Sequence, residues 1–253
     1  MKYLCDPHII PTNTCPPDSA ELARRTERFV TFATDVHLDV SDGLFSPITS
    51  WPYVGTEWRE FEALVSEGAR LPYAETINYE VHLMVQEPRA LGTLLARAGC
   101  KRLLPHIEAF SDEGEVRETF ASWLDAGIVE IGLSLLVDTP LERVEPFIEE
   151  CAVVQLMSIA KIGAQGQPFD ERALSRVEEL HAAHPELMVA VDGGITEANV
   201  ELLVRTGANR LCVGSAISRA PDPKRVYDHM LARAQKGCQP VTVSASPEAV
   251  GDR

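Results

Sequence analysis

The sequence contains no long apolar segment. No run approaches the ~20 consecutive apolar residues that a bilayer-spanning helix needs, and the first eight residues lack the apolar core of a secretory signal. Basic residues are also scarce, with 23 Lys and Arg against 38 Asp and Glu and a net charge of −15 at pH 7. This balance argues against nucleic acid or an anionic membrane as a partner. It allows a small phosphorylated ligand, which needs only a few backbone N–H groups.

Closely spaced cysteine pairs are absent as well. The six cysteines lie at positions 5, 15, 100, 151, 212 and 238, and none forms a Cys-x-x-Cys motif. Cys212 stands between Leu211 and Val213, where a free cysteine behaves as a small apolar residue. We therefore expect free thiols and a reducing, cytoplasmic location.

Short apolar runs alternate with amphipathic stretches along the chain, which predicts alternating strands and helices. The predicted strands are 8–11, 36–40, 79–85, 102–105, 129–135, 153–159, 187–191 and 210–213. The predicted helices are 19–32, 57–69, 88–98, 115–126, one opened by Pro140, 170–184, 196–206 and 221–234. Eight βα units predict an α/β fold, a single-domain TIM (β/α)8 barrel over residues 1–235. Residues 236–253 hold two serines and two prolines and show no hydrophobic periodicity, which predicts a disordered tail.

The second predicted strand carries polar residues on one of its two faces. Val36, Leu38 and Val40 share one face, whereas His37, Asp39 and Ser41 share the other. Buried strands of α/β proteins are normally apolar on both faces. Burying a histidine and a carboxylate costs several kcal/mol unless something binds them. A divalent metal is a suitable compensator, and a structural His–Asp hydrogen bond at the strand end is the alternative.

Further polar residues end other strands, and in a barrel of this kind the chemistry collects at those carboxyl ends. His82 and Met84 share the inward face of the third strand, and Asp192 ends the seventh. His106 with Glu108 ends the fourth strand, and Met157 lies on the sixth. The candidate metal ligands are His37, Asp39, His82 and Asp192. The two methionines are either core residues or an apolar lid over the reacting atoms.

Glycine turns predict a second part of the site. Gly193-Gly194 follows the seventh strand, Gly214-Ser215 follows the eighth, and Gly163 lies in the loop after the sixth. Loops after strands seven and eight commonly bind phosphate in these barrels. Backbone N–H groups of these turns are therefore candidate phosphate donors, although a plain tight turn is the commoner role of a single Gly-Gly pair.

Five ordered motifs resemble those of the ribulose-phosphate 3-epimerase family. Residues 37–45 resemble its H-x-D-x-M-D-G-x-F signature, and residues 81–85 (VHLMV) resemble its second motif. Residues 106–108 are similar to its H-x-E, 191–195 (VDGGI) to its V-D-G-G-I/V, and 214–217 (GSAI) to its closing phosphate motif. The resemblance extends from about Ile10 to about Asp228.

The resemblance implies an isomerase that interconverts D-ribulose 5-phosphate and D-xylulose 5-phosphate by proton transfer at C3. It implies one divalent metal, zinc first with iron, manganese or cobalt as alternatives, held by the four candidate ligands named above. Asp39 and Asp192 would form the acid–base pair, and Thr12 stands where the family usually has a substrate-contacting serine. We also expect the protein to bind a phosphorylated ketose as its substrate and to bind neither nucleic acid nor a membrane. We expect the chain to form a homo-oligomer.

The chemistry and the departures from the motifs leave alternatives open. An epimerisation beside a ketone has no redox step, and no dinucleotide G-x-G-x-x-G follows the first strand. Ser41 replaces the motif's methionine, Leu44 replaces a frequent histidine, and residues 161–167 differ from the family's P-G-F-G-G-Q loop. The alternatives are an epimerase for another, six-carbon ketose phosphate and a non-catalytic phosphosugar-binding paralogue. A related decarboxylase is less compatible, because residues 39–42 lack the lysine of its Asp-x-Lys-x-x-Asp motif.

Overall fold

Eight parallel strands close into a barrel in the computed structural model, which describes residues 5–163 and 165–238. The strands are β1 (His8–Thr14), β2 (Asp35–Ser41), β3 (Asn78–Met84), β4 (Arg102–Pro105), β5 (Glu130–Leu135), β6 (Val153–Met157), β7 (Met188–Asp192) and β8 (Arg210–Val213). Each strand pairs with the next, and β8 pairs with β1. The predicted (β/α)8 barrel is confirmed.

Helices follow most strands and form the outer layer. They are α1 (Ser19–Glu27), α2 (Glu57–Ser66), α3 (Pro88–Arg97), α4 (Glu113–Asp125), α5 (Arg172–Ala183), α6 (Val200–Arg205), α7 (Ser215–Ser218) and α8 (Pro223–Gly237). Asp18, Asp112 and Asp222 cap α1, α4 and α8, each accepting a hydrogen bond from the backbone three residues on. Helix α8 includes Lys236, which the sequence assigned to the tail; residues 239–253 of that predicted tail lie outside the described residues.

The α-helix predicted to begin at Pro140 is wrong. Two 3₁₀ helices, Leu141–Arg143 and Glu145–Glu150, connect β5 to β6 instead. Pro146 lies within the second of them. Because proline has no N–H group and its ring clashes with the preceding turn, it prevents one continuous α-helix here.

The two faces of β2 lie in different environments, as its alternation predicted. Val36, Leu38 and Val40 belong to the large apolar core between barrel and helices. His37, Asp39 and Ser41 are also buried, and the strand geometry turns them toward the barrel interior. A separate small cluster of Leu104, Val153 and Ala190 packs within the same barrel. The barrel therefore holds polar and charged side chains at the level where the site forms.

The expectation of free thiols is wrong for two of the six cysteines and confirmed for the other four. Cys5, just before β1, and Cys238, just after α8, form a disulfide. The cysteines at positions 15, 100, 151 and 212 are free. No local pattern signals the pair, because 233 positions separate its members and only the barrel brings them together. Among the described residues, no helix has the length and apolarity that a membrane span requires.

Candidate active site

Four side chains converge at the carboxyl end of the barrel. Parallel register sets Asp39 of β2 beside His82 of β3, and Asp192 is the last residue of β7. His82 Nδ1 lies 3.0 Å from Asp39 Oδ1 and 3.6 Å from Asp192 Oδ2. His37 Nε2 lies 3.3 Å from Asp39 Oδ1 and 3.8 Å from Asp192 Oδ2. One donor atom from each of the four residues lies within 4.8 Å of the others, so the structure contains the predicted cluster.

The donor set fits a divalent metal ion. His37 Nδ1 contacts the Glu80 carboxylate at 2.8 Å, which leaves Nε2 pointing at the two aspartates. This buried Nε2 has no hydrogen-bond partner among the described residues. An unpaired buried nitrogen is costly, and a metal would use its lone pair. Two imidazole nitrogens and two carboxylate oxygens are ordinary ligands of zinc and of other first-row divalent metals.

The two aspartates have opposite pKa shifts. Burial favours the protonated form of Asp39, but the adjacent imidazoles of His37 and His82 outweigh burial and hold its pKa below the usual value. Burial, followed by repulsion from the Asp39 carboxylate, raises the pKa of Asp192 to about 6. Two carboxylates that differ in this way are suited to separate acid and base roles.

A buried ionic cluster beneath the site was missed by the sequence analysis. The Glu80 carboxylate accepts hydrogen bonds from Arg102 at 2.6 Å and from Arg210 at 2.8 Å, in addition to its contact with His37. Burial alone would raise the pKa of Glu80, but the arginines and His37 hold it well below the usual value. Cys212 Sγ lies 3.3 Å from His37 Nδ1. The cluster fixes the orientation of a candidate metal ligand.

A second polar group lies behind His82. His82 Nε2 is 2.8 Å from His106 Nε2, and His106 Nδ1 is 3.0 Å from Glu108 Oε2. Burial lowers the pKa of His106 to about 4, so the ring is neutral at pH 7. The sequence placed His106 and Glu108 at the end of the fourth strand. In the structure His106 contacts His82 and Glu108 contacts His106, and neither residue lines the cavity.

A cavity of about 580 Å³ opens above the cluster. Its walls include ten of the residues predicted from the sequence: Thr12, Asp39, Met84, Met157, Gly163, Asp192, Gly193, Gly194, Gly214 and Ser215. His37 and His82 are fully buried beneath it. The buried Thr12 Oγ1 has no hydrogen-bond partner within the described part of the chain, so it is available to a ligand hydroxyl.

The loop after β6 contributes walls that the sequence analysis did not identify. Gln165 and Phe169 line the cavity, and Gln165 Nε2 donates to Thr14 Oγ1 at 2.8 Å. Gly194 has φ +63°, and a Cβ there would lie 2.7 Å from the backbone of Phe169. The glycine therefore permits both the turn and the close approach of this loop. The loop departs from the family motif, so no motif signalled these contacts.

Two departures from the first motif lie away from the cavity. Ser41 is buried and its Oγ is 2.7 Å from Ser46 Oγ. Leu44 is 76% exposed. The Ser41 hydroxyl is satisfied within the protein, so it adds no free polar group to the cavity wall.

The fold and the site together define a class of protein. It comprises (β/α)8 barrels in which two histidines and two aspartates lie at the carboxyl end of the barrel, beside a cavity bordered by glycine turns. A profile of the Ribulose-phosphate 3 epimerase family matches residues 10–218. The chain belongs to this family of carbohydrate isomerases, as its five motifs predicted.

Individual relatives agree with the family assignment. The chain is 31% identical over 212 residues to the ribulose-phosphate 3-epimerase of Schizosaccharomyces pombe, covering 83% of this chain and 86% of the relative. It is 31% identical over 201 residues to that of Bacillus subtilis, covering 77% and 84%. Among solved structures, 3-hexulose-6-phosphate synthase from Salmonella typhimurium is similar with a TM-score of 0.61 and 14% identity, covering 90% of this chain and 99% of that one. This last likeness concerns the fold alone.

Proposed function

We propose that this protein is a metal-dependent epimerase that interconverts D-ribulose 5-phosphate and D-xylulose 5-phosphate by proton transfer at C3. The observation that carries the proposal is the pair of carboxylates, Asp39 on β2 and Asp192 on β7, which line one cavity and have opposite pKa shifts. Inversion at carbon requires a base on one face and an acid on the other. The curated relatives described above carry the same activity in their names.

The mechanism assigns the proton transfers to these carboxylates. One aspartate removes the C3 proton, which gives an enediolate, and the other returns a proton to the opposite face. When bound, a divalent metal supplies Lewis-acid stabilisation of the negative charge that develops on the substrate oxygens. Met84 and Met157 line the cavity and exclude water from the carbanionic centre. Thr12 Oγ1 offers a hydrogen bond to a substrate hydroxyl.

The phosphate is assigned to the glycine side of the cavity. Gly163, Gly193-Gly194 and Gly214-Ser215 border it, and helix α7 begins at Ser215. Backbone N–H groups of such turns bind phosphate oxygens without a dedicated cation. The substrate then spans the distance between the donor cluster and these turns.

The proposal also covers the metal, the assembly and the compartment. Zinc fits the two-nitrogen, two-oxygen donor set, and iron, manganese and cobalt are the alternatives. A homo-oligomer and a cytoplasmic location stay predictions. A relative from Oryza sativa is named as a cytoplasmic isoform, whereas a disulfide is uncommon in that compartment.

Proton exchange at C3 tests the enzyme directly. Ribulose 5-phosphate is incubated in D₂O with protein of known metal content, and NMR follows loss of the C3 proton and appearance of xylulose 5-phosphate. We expect proton exchange and xylulose 5-phosphate formation when the metal is bound, and we expect neither after the metal has been removed by a chelator. Binding of the sugar phosphate without exchange would instead support the non-catalytic paralogue.

A six-carbon ketose phosphate is the second candidate substrate. The observation behind it is that the loop after β6, whose Gln165 and Phe169 line the cavity, departs from the family's usual loop. The same exchange assay on five- and six-carbon ketose phosphates decides between them by kcat/KM.

The metal is tested by His82→Ala. Wild-type protein is expected to hold about one divalent ion per chain, and the variant is expected to lose it because one of four donors is removed. The affinity for the metal should fall by more than the roughly 10–100-fold that is typical when a residue hydrogen-bonded to a metal ligand is replaced. Elemental analysis and chelator competition measure it. His229→Ala, which removes an exposed histidine, is the control, and equal metal in all three proteins would remove His82 from the site.

The phosphate assignment is tested by Gly194→Asp. The new side chain would meet the Phe169 backbone and place a negative charge among the phosphate donors. We expect affinity for the ketose phosphate to fall by at least about 100-fold, since each lost charge-assisted hydrogen bond contributes roughly 1.5–3 kcal/mol. Calorimetry measures it, with metal content unchanged.

A matched control separates an effect at the phosphate site from the general effect of aspartate at a glycine with positive φ. Gly55 also has positive φ, +58°, and nothing lies within 4 Å of a Cβ there. Gly55→Asp should reproduce the backbone strain but leave affinity intact. The assignment is wrong if the unphosphorylated sugar binds wild-type protein as tightly as the phosphorylated one.

A further inference from the structure

A chain of hydrogen bonds connects His82 to a carboxylate outside the cavity. The two Nε2 atoms of His82 and His106 are 2.8 Å apart, and His106 Nδ1 is 3.0 Å from Glu108 Oε2. The other oxygen of Glu108, Oε1, accepts hydrogen bonds from the Leu136 N–H at 2.9 Å and from the Thr139 hydroxyl. Both oxygens of this carboxylate therefore have assigned partners.

The proton balance along these hydrogen bonds determines the tautomer of each ring. An ionised carboxylate only accepts hydrogen bonds, so His106 donates from Nδ1 to Glu108. A metal held by His82 Nδ1 takes the lone pair of that atom, so in the metal-bound form His82 carries its proton on Nε2. The two Nε2 atoms are 2.8 Å apart, so His82 donates this proton to the lone pair of His106 Nε2. In that form His82 Nδ1, the atom that faces Asp39 and Asp192, carries no proton.

We propose that Glu108 and His106 are positioning residues that hold His82 in its Nε2–H tautomer and so keep Nδ1 available as a metal ligand. Neither residue lines the cavity. The inference rests on the metal site in the proposed function. The two candidate ligand histidines are held in different ways. The Glu80 carboxylate contacts His37 directly, whereas the imidazole of His106 lies between His82 and the Glu108 carboxylate.

Glu108→Gln is the variant that reverses the chain without changing its shape. The Leu136 N–H and the Thr139 hydroxyl hold the side-chain oxygen in the Oε1 position, so the amide nitrogen of glutamine faces His106 Nδ1. An amide nitrogen only donates. His106 then accepts at Nδ1 and carries its proton on Nε2, His82 must accept at Nε2, and its own proton moves to Nδ1.

Ring-nitrogen chemical shifts and zinc affinity together test the inference. The full chain is labelled with ¹⁵N-histidine and studied with and without Zn²⁺, and a His106→Phe variant assigns the His106 signals. Wild type with Zn²⁺ bound is expected to carry protons on His106 Nδ1 and His82 Nε2. In Glu108→Gln both positions should reverse, and Zn²⁺ affinity, measured by chelator competition, should fall about 10–100-fold.

Glu115→Gln is the matched control, because the Glu115 carboxylate accepts hydrogen bonds from Ser111 in the same connection but contacts no member of the chain. It should leave the tautomers and the affinity unchanged. Wild-type protein that binds Zn²⁺ with a proton on His106 Nε2 overturns this inference alone, as does a Glu108→Gln affinity equal to that of Glu115→Gln. Wild-type protein that binds no divalent metal overturns the metal site and the inference together.

Discussion

Asp39→Asn and Asp192→Asn are each expected to reduce epimerisation by at least about 10²–10⁴-fold, the range typical for loss of a positioned acid or base. Asparagine keeps the shape of aspartate and removes its basicity. Both carboxylates are also candidate metal ligands, so the loss is expected at the upper end of that range. The rate of conversion of ribulose 5-phosphate to xylulose 5-phosphate is measured with a coupled enzyme assay, on protein whose metal content has been determined.

The two variants are expected to differ in one informative respect. Each retains one carboxylate on one face of the substrate, so slow C3 exchange with D₂O should persist for only one epimer. The epimer should be ribulose 5-phosphate for one variant and xylulose 5-phosphate for the other. Asp138→Asn, which alters an exposed carboxylate paired with Arg172, is the control and should behave as wild type. If neither active-site variant slows epimerisation, the aspartates are not the acid–base pair.

Glu80→Gln is expected to destabilise the fold by about 3–5 kcal/mol, the usual cost of leaving a buried ionic partner uncompensated. The variant leaves Arg102 and Arg210 inside the barrel without the carboxylate that now accepts their hydrogen bonds. It also removes the acceptor at His37 Nδ1. Equilibrium unfolding in denaturant measures the change in the free energy of unfolding. The dependence of that free energy on denaturant concentration is compared with wild type.

Glu130→Gln provides a matched control for this cluster. Glu130 pairs with the same Arg102, but its side chain is 39% exposed whereas that of Glu80 is 1% exposed. Solvent screening limits an exposed pair to about 0–1 kcal/mol. If Glu80→Gln and Glu130→Gln lower the free energy of unfolding by the same amount, burial is not the reason for the contribution of Glu80 to stability.

The Glu80 variant should also change the response to acid. The folded-state pKa of Glu80 lies below its unfolded value of about 4.3, so its ion pairs stabilise the fold above that pH. The groups facing it are Arg102, Arg210, His37 and Cys212. The stabilisation is lost as pH falls below about 4 toward the folded-state pKa. The stability difference between wild type and Glu80→Gln should therefore shrink in that range.

The parts of the site that the sequence predicted depend on local periodicity and on barrel topology. The alternation in β2 assigned His37 and Asp39 to one face, and the rule that strand ends meet at one rim brought His82 and Asp192 to them. The glycine turns after β7 and β8 were located in the same way. In each case a short segment and its place in the strand order were sufficient.

The features that the sequence did not predict depend on contacts between distant segments. Glu80, Arg102 and Arg210 are each ordinary polar residues near the start of a strand, and only barrel closure makes them one cluster. The tautomer relation of His106 and His82 needs interatomic distances. The 3₁₀ helices after β5 arise because Pro146 overrides an otherwise helical pattern.

The Cys5–Cys238 disulfide makes the described chain covalently circular across the seam where β8 meets β1. A single peptide cleavage in any loop between these cysteines would therefore open a ring and leave the two fragments joined. The first strand and the last helix cannot separate independently of each other, so fraying that usually begins at chain ends is blocked on both sides at once. In an oxidising setting the barrel has no free end within the described fold at which unravelling can start.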